Sequence, residues 1–343
     1  MSTIRATNFQ HASAAAPAIV LAANGSATAN VSSINNGPLA GFRNAFINGN
    51  LDIWQRGTTF TGPEYSADRF RSLRNGTTFT ATRQPFVLGQ TDVPGEPTYF
   101  IRTVVSSVTG AGNFASFDQL IEDVRTFAGQ QVTFSFWAKA DATKNIGVCL
   151  QQFFGTGTNS PSGLVIIAPT KVSIGTTWQK VTLTATMPSI SGKTIGNDNN
   201  NAIAAQIWFD AGSNYNANTD SLGHQSGIFD IAQLQVEPGP VATPFEKRSI
   251  GTELALCHRY YQFFESVYLL TYANAGAPYR QTISFLAQMR RAPTVTTTLV
   301  TYANASAIGT EVNNSLVQFG ATATATGASS VSCNLALSAE IAG

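Results

Sequence analysis

Trp137 and Trp208 each stand in a run of alternating residues, and each has polar neighbours on its own side. In residues 132–139, Val132, Phe134, Phe136 and Ala138 fall on one face and Thr133, Ser135, Trp137 and Lys139 on the other. In residues 205–210, Ala205, Ile207 and Phe209 alternate with Gln206, Trp208 and Asp210. Ile146, Val148 and Leu150 likewise alternate with Gly147, Cys149 and Gln151. Such a period of two predicts half-buried strands, with both indoles on the face turned from the core. An indole stacks on the C–H face of a pyranose, while amides, carboxylates and ammonium groups fix its hydroxyls. Trp137, Trp208, Gln206, Asp210, Lys139 and Gln151 are therefore the candidate ligand-binding residues, with a glycan as the ligand. The competing reading, weighed above ligand binding for any one tryptophan, is that the indole covers a subunit interface, where tryptophan is also enriched, or sits in a satellite core. Trp178, in TTWQKV, reads as core or sheet corner.

Catalytic chemistry leaves no comparable pattern. His11, His224 and His258 lie in unrelated contexts, and no HExxH or His/Cys cluster points to zinc. No GxSxG elbow occurs. Glycoside hydrolysis needs two opposed carboxylates. Glu64, Asp68, Asp118, Glu122, Asp123 and Asp210 are present but sit in no catalytic motif, although folding can bring distant carboxylates together. Residues 110–115, GAGNFA, match GxGxxA, with Phe117, Leu120, Ile121 and Val124 following at helical spacing. No alternation of strands and helices surrounds them, so a glycine hairpin is the reading. Ser191-Gly192-Lys193-Thr194 resembles the end of a phosphate loop, but Met187 stands where that loop requires glycine. No catalytic residue, metal site or cofactor is assigned, and the chain is not expected to be an enzyme.

Composition narrows the partners. Charged residues are 11% of the 343, against roughly 25% in typical domains. Lys+Arg 20 against Asp+Glu 19 leaves a net charge of +1. There is no basic excess to hold phosphates, so nucleic acid is not an expected partner. So few charges imply that much of the surface faces other subunits. Cys149, Cys257 and Cys333 are odd in number and widely spaced, which predicts buried thiols rather than disulfides or zinc. No apolar run approaches the ~18 residues of a membrane span, so membrane insertion is not expected.

The elements that would position these residues are short strands. At 229–236 the alternation of Phe229 and Ile231 slips by a half-step before Leu234 and Val236, which predicts a bulge. Pro238-Gly239-Pro240 stops that strand, and Pro244 keeps the next segment extended. Leu254, Cys257, Tyr260, Tyr261 and Phe264 then recur at helix-like spacing. Residues 268–275, 279–285, 294–303, 315–324 and 329–338 read as β segments. TYANA recurs at 271–275 and 301–305 and hints at two similar hairpins. Residues 1–40 are rich in Ala, Ser and Asn and too poor in large apolar side chains to fold alone. AAAPAIVLAA at 14–23 could pass for a signal-peptide core, but Pro17 interrupts it.

Several ordered pieces carry a family resemblance. FDIAQLQVEPGPVATPFEKR at 229–248 with ELALCHRYYQ after it resembles the segment closing a carbohydrate-binding-module-like jelly roll in phage and prophage tail-fibre proteins. NAFINGNLDIWQRGTTFTGPEYSADRFR at 44–71 is similar to the opening of that module, and VTFSFWAKA (132–140) and TTWQKVTLTATMP (176–188) fit its middle. QMRRAP at 288–293 resembles the MRxxP hallmark of the fibre C-terminal domain. In the YSADRF hallmark at 65–70, an Asp68–Arg69 hydrogen-bonded corner packed on aromatics is expected.

The resemblance implies an all-β chain: a jelly-roll β-sandwich, then a smaller C-terminal β-sandwich, with an extended N-terminal anchor. It divides the chain into residues 1–40 (virion anchor), 41–247 (carbohydrate-binding-module-like jelly roll) and 248–343 (β-rich trimerisation or tip domain). It implies a phage virion fibre protein made in the bacterial cytoplasm and carried on tail or capsid, a homotrimer that binds host-surface glycans and meets other virion proteins through residues 1–40. A purely structural head-fibre, decoration or adaptor protein is the alternative, and a glycan depolymerase the poorer one. Related jelly rolls carry a structural calcium near their first and last strands, for which Asn48, Asn50, Asp52 or Asp230 could supply oxygens; ordinary solvated loops are the competing reading.

Overall fold

The computed structural model describes residues 41–341, with residues 8–9, 19–21, 23 and 27–29 before them. The leading pieces form a three-stranded antiparallel sheet of β1 (Asn8–Phe9), β2 (Ile19–Leu21) and β3 (Ala27–Ala29). The expected anchoring role of residues 1–40 otherwise lies outside the described residues.

The large sandwich takes twelve strands in two antiparallel sheets of six. They are β4 (Thr59–Phe60), β5 (Glu64–Tyr65), β6 (Phe70–Asn75), β7 (Thr78–Pro85), β8 (Tyr99–Ser106), β9 (Phe114–Glu122), β10 (Gln131–Ala140), β11 (Lys144–Phe153), β12 (Val165–Ile174), β13 (Gln179–Thr186), β14 (Ala202–Ala211) and β15 (Gly227–Pro238). The first sheet runs β13-β10-β15-β8-β7-β4 and the second β12-β11-β14-β9-β6-β5. This is a jelly-roll β-sandwich.

Alternation put the right side chains between the sheets. Phe134, Phe136, Ile207 and Phe209 are all buried, and phenyl rings run through the whole interior. Phe46 meets Phe70 at 5.4 Å and Phe134 at 5.7 Å; Phe70 stacks on Phe117 at 5.0 Å. A fully buried ring of this kind contributes about 1.5–3 kcal/mol. The bulge expected in 229–236 is present: the β10–β15 register shifts between Ser135 and Trp137, and Gln233 takes φ 48°. The GAGNFA segment is not a hairpin. It crosses from β8 in the first sheet to β9 in the second, and the residues after it form a strand rather than a helix.

After β15 a short helix, α2 (Ile250–His258), is capped by Ser249, whose hydroxyl accepts from the Thr252 N–H. It follows a single helical turn, α1 (Asn216–Thr219), in the 212–224 loop. Glu253 of α2 accepts from the Asn48 N–H at 2.8 Å and pairs with Arg248 at 3.2 Å, tying the helix to the opening loop.

The smaller sandwich follows, with β16 (Tyr261–Ala273), β17 (Pro278–Ser284), β18 (Thr294–Ala303), β19 (Ala305–Val312), β20 (Leu316–Ala323) and β21 (Gly327–Ser338). Its sheets are β16-β21-β18 and β17-β20-β19, closed over Val317, Phe319, Val331, Cys333 and Leu335. β19 was not read from the sequence, since its Ala, Ser and Gly carry little alternation. The two TYANA segments are not hairpins within one sheet. Each marks the exit from the first small sheet to the second, at β16–β17 and β18–β19.

The two sandwiches meet through charge and aromatic faces. Arg69, 1% exposed, bonds Glu340 and donates to the Leu120 carbonyl at 2.7 Å. Its guanidinium lies 3.5 Å over the Tyr260 ring. Arg56 reaches the other Glu340 oxygen at 2.9 Å and lies 3.6 Å over Tyr261. Glu122 accepts from the Tyr260 hydroxyl at 2.8 Å and from Arg259, and Arg291 reaches Asn200. The expected Asp68–Arg69 pair is therefore not formed. Asp68 instead accepts from the Gln55 N–H at 2.9 Å, with Arg56 at 3.8 Å. Burial lowers the pKa of Arg69, and Glu340, Tyr260 and Tyr65 outweigh it, so the net shift is upward. Burial, then Glu340, pushes the Tyr65 hydroxyl up to about 12.

Candidate functional site

The six expected ligand-binding residues do not assemble. Trp137 and Lys139 belong to β10 in the first sheet; Trp208, Gln206 and Asp210 belong to β14 and Gln151 to β11 in the second. Four of the six are also closed to a ligand, contrary to expectation. Trp208 does turn from the main core, but Phe114, Tyr215 and Leu222 cover it, leaving it 3% exposed. Ring centroids lie 5.1 Å from Tyr215 and 5.3 Å from Phe114. Gln151 donates to Gln206 at 2.6 Å, and Gln206 to the Ser116 hydroxyl at 3.0 Å, so both amides are internally bonded. Asp210 is fully buried and accepts from Thr77, Ser107 and the Gln225 N–H. Lys139 stays half-buried, but its ammonium lies 3.7 Å from Asp230 and 5.0 Å over the Trp178 ring. Trp178, just before β13, packs with Phe86 and with Phe100 of β8.

Trp137 lines a cavity. Across the ladder it faces Lys180 of β13 on one side and Ala232 of β15 on the other. The bulge re-aims Gln233, whose Nε2 donates to the Pro94 carbonyl at 2.7 Å. These three side chains form the floor of a groove of about 530 Å³. One wall is the Pro94-Gly95 turn; the other is the extended segment after β15, with Pro244, Phe245 and Lys247. Prolines 240 and 244 hold that segment off the sheet, since neither can donate to a ladder. Lys180 donates to the Thr243 carbonyl at 3.1 Å. Burial lowers its pKa, partly offset by Glu237. Among the described residues the Trp137 indole N–H has no acceptor. The groove thus offers an aromatic face, an indole donor, an amide and two ammonium groups. Sequence reasoning missed Lys180, Gln233 and Lys247. Lys180 was within reach of it, because the Trp178–Lys180 spacing puts both on one face.

No protein-family model matches this sequence, and none of the curated proteins does. Solved structures do show similarity. The enzymatically active domain of tailspike protein 4 of bacteriophage CBA120 matches 59% of this chain at 16% identity and TM-score 0.35, and the match spans only 22% of that protein. A family 11 carbohydrate-binding module from Clostridium thermocellum, solved with a β-1,3-1,4-mixed-linked tetrasaccharide, is matched over 98% of its length and 54% of this chain, at 10% identity and TM-score 0.32. The CBM22-1 xylan-binding domain of Paenibacillus barcinonensis Xyn10C is matched over 94% of its length and 54% of this chain, at 13% identity and TM-score 0.30.

Two other clusters have the residue types of a site but not the geometry. Ser107, His224 and Asp210 form one network, yet the serine donates to Asp210 at 2.8 Å, while His224 Nδ1 bonds the same carboxylate at 3.0 Å. A nucleophile relay needs the serine on the far imidazole nitrogen. Here that nitrogen faces the backbone of Gly110. The candidate calcium oxygens also fail to converge. Asn48 Oδ1 accepts from the Ile53 N–H, and both Asp230 oxygens are held by Arg102 at 2.8 Å. Only Asn50 Oδ1 and Asp52 Oδ1 are left buried without a partner, far short of the six to eight oxygens calcium takes. The three thiols are free and buried, as composition implied.

Proposed function

We propose that this chain is a fibre-type protein of a phage or prophage virion that holds a host-surface saccharide in the Trp137 groove. The observation that carries the binding half is the half-exposed indole on the groove floor, with Lys180 and Gln233 beside it. Pyranose C–H groups stack on such a face while polar groups at its rim select the hydroxyls. The virion half is supported by the resemblance of residues 44–71, 132–140, 176–188 and 229–248 to phage fibre modules. We take residues 1–40 as the attachment to other virion proteins. Binding proceeds without cleavage: no carboxylate lines the groove, and glycoside hydrolysis requires two.

Association into a homotrimer is part of the same proposal. Tyr268 (57% exposed), Leu270 (61%) and Tyr272 (76%) form an apolar row along β16. They pair with Ser332, Ser330 and Ala328 of β21, small residues that let another copy approach closely. Such a row is unusual on a solvated face.

The test is a glycan array probed with the full chain and with Trp137→Ala. Saturable binding that the substitution abolishes, with no release of reducing ends, is expected. Binding that Trp137→Ala leaves unchanged would refute this groove as the site. Sedimentation of the full chain and of a Leu270→Lys/Tyr272→Glu variant tests association: a trimer reduced to monomer is expected, and a wild-type monomer would refute it.

A further inference from the structure

We infer that the saccharide held by the Trp137 groove is anionic, carrying a carboxylate or a phosphate. This rests on the saccharide reading of the groove and adds the charge of its ligand.

The groove is lined by two lysines and no acid. Lys180 stands directly opposite Trp137 in the strand ladder, on the same outward face. Directly opposite side chains in such a ladder sit about 4.5–5.5 Å apart at Cβ, so a ring stacked on the indole lies within reach of that ammonium. Lys180 makes one hydrogen bond, to the Thr243 carbonyl, which leaves two of its three N–H groups for a ligand. Lys247 is exposed on the facing wall and has no ion-pair partner among the described residues.

None of the carboxylates flanking the groove lines it. Glu237 is 1% exposed; it accepts from the Thr243 N–H at 2.9 Å, the Thr243 hydroxyl at 2.6 Å and Gln235 at 2.8 Å, and pairs with Arg43 at 3.4 Å. Glu246, also buried, accepts from the N–H groups of Phe42 and Asn44. Glu96, beside the Pro94-Gly95 wall, accepts from the Gly89 N–H. Two cations thus face a largely apolar groove; Glu237, buried and bonded to Thr243, Gln235 and Arg43, acts on Lys180 only from outside the lining. Partial desolvation lowers the pKa of Lys180 and Glu237 partly offsets it, while the side chain stays exposed to an incoming ligand anion. Charge-assisted hydrogen bonds from ammonium to carboxylate or phosphate are about twice as strong as neutral ones.

The experiment is titration calorimetry of the full chain with three probes of similar length: an oligogalacturonate, a phosphorylated mannan oligosaccharide and cellohexaose. Wild type, Lys180→Met, Lys247→Met and Trp137→Ala are compared, with thermal melts checking that each variant folds. The expected result is binding of at least one anionic probe, weakened roughly tenfold by Lys180→Met and about threefold by Lys247→Met. It is lost with Trp137→Ala and weakens further as salt rises to about 0.5 M. Preference for the uronate or for the phosphate ester identifies the source of the charge, and either supports the inference. Trp137-dependent binding of cellohexaose that equals or exceeds both anionic probes, and that ignores the lysine changes, overturns the anionic inference while leaving saccharide binding intact. If no probe binds in a Trp137-dependent way, both the inference and the saccharide reading of this groove fall.

Discussion

Replacing Glu340 by glutamine should loosen the joint between the two sandwiches more than any single change at its rim. Glu340 is 7% exposed and takes one oxygen to Arg69 and the other to Arg56. Arg69 is itself fully enclosed, its Nε has no acceptor, and apart from Glu340 it keeps only the Leu120 carbonyl and the Tyr260 ring. Removing the carboxylate strands a buried cation, which costs about 3–5 kcal/mol. Arg56 is closer to solvent, and its share of the loss is at most about 1 kcal/mol. Arg69 also holds φ 73°, in the left-handed region that costs a non-glycine residue about 1–2 kcal/mol. A loss of about 3 kcal/mol corresponds to a fall in Tm of roughly 6–12 °C for a domain of this size. The assay is a double-mutant cycle: melts and urea titrations of Glu340→Gln, Arg69→Met and the double variant, with hydrogen exchange at Leu120 and Tyr260. The double variant should lose less than the two single losses added together, because it leaves no charge unpaired. Single losses below about 1 kcal/mol, adding without coupling, would show that the pair does not hold the joint.

Three further expectations can be checked on the same protein. Trp208→Ala should cost about 3–5 kcal/mol in urea unfolding, because it empties a space filled by Phe114, Tyr215 and Leu222, while any saccharide binding survives; unaltered stability would contradict the packing. Burial lowers the Lys180 pKa from its ordinary 10.5. A lysine is cationic below its pKa, so affinity for an anionic probe should hold at neutral pH and fall on the alkaline side before pH reaches that ordinary value. In calorimetry across that range, Lys180→Arg should move the fall upward, and an unchanged profile would remove Lys180 from the site. Burial pushes the Cys149 thiol up to about 11 and that of Cys257 well above its usual range. A thiol-reactive chromophore should therefore label neither at neutral pH until denaturant is added, and rapid labelling of the native chain would refute their enclosure.

The strand alternation settled much of this protein before any coordinates. Phe134, Phe136, Ile207 and Phe209 are inside because a period of two leaves them no other face, and the slip between Ile231 and Leu234 is a true bulge. Residues 294–303 form a strand with the bounds read from their pattern. What alternation names is a side of one sheet; it does not name what lies over that side. Trp137 and Trp208 had the same local pattern and met opposite fates. Tyr215 and Leu222, from a loop otherwise written in polar residues, close over one indole, while the walls carrying Pro94 and Pro244 stand apart and leave the other open. The joint was equally hidden. Asp68 and Arg69 are neighbours and looked like partners, but backbone geometry sends Arg69 to Glu340, 271 residues along the chain. Local sequence fixes secondary structure and the inward face through short-range sterics and the hydrophobic effect. Which outward face is covered, and which charge meets which, depends on contacts between segments that only the assembled fold brings within reach.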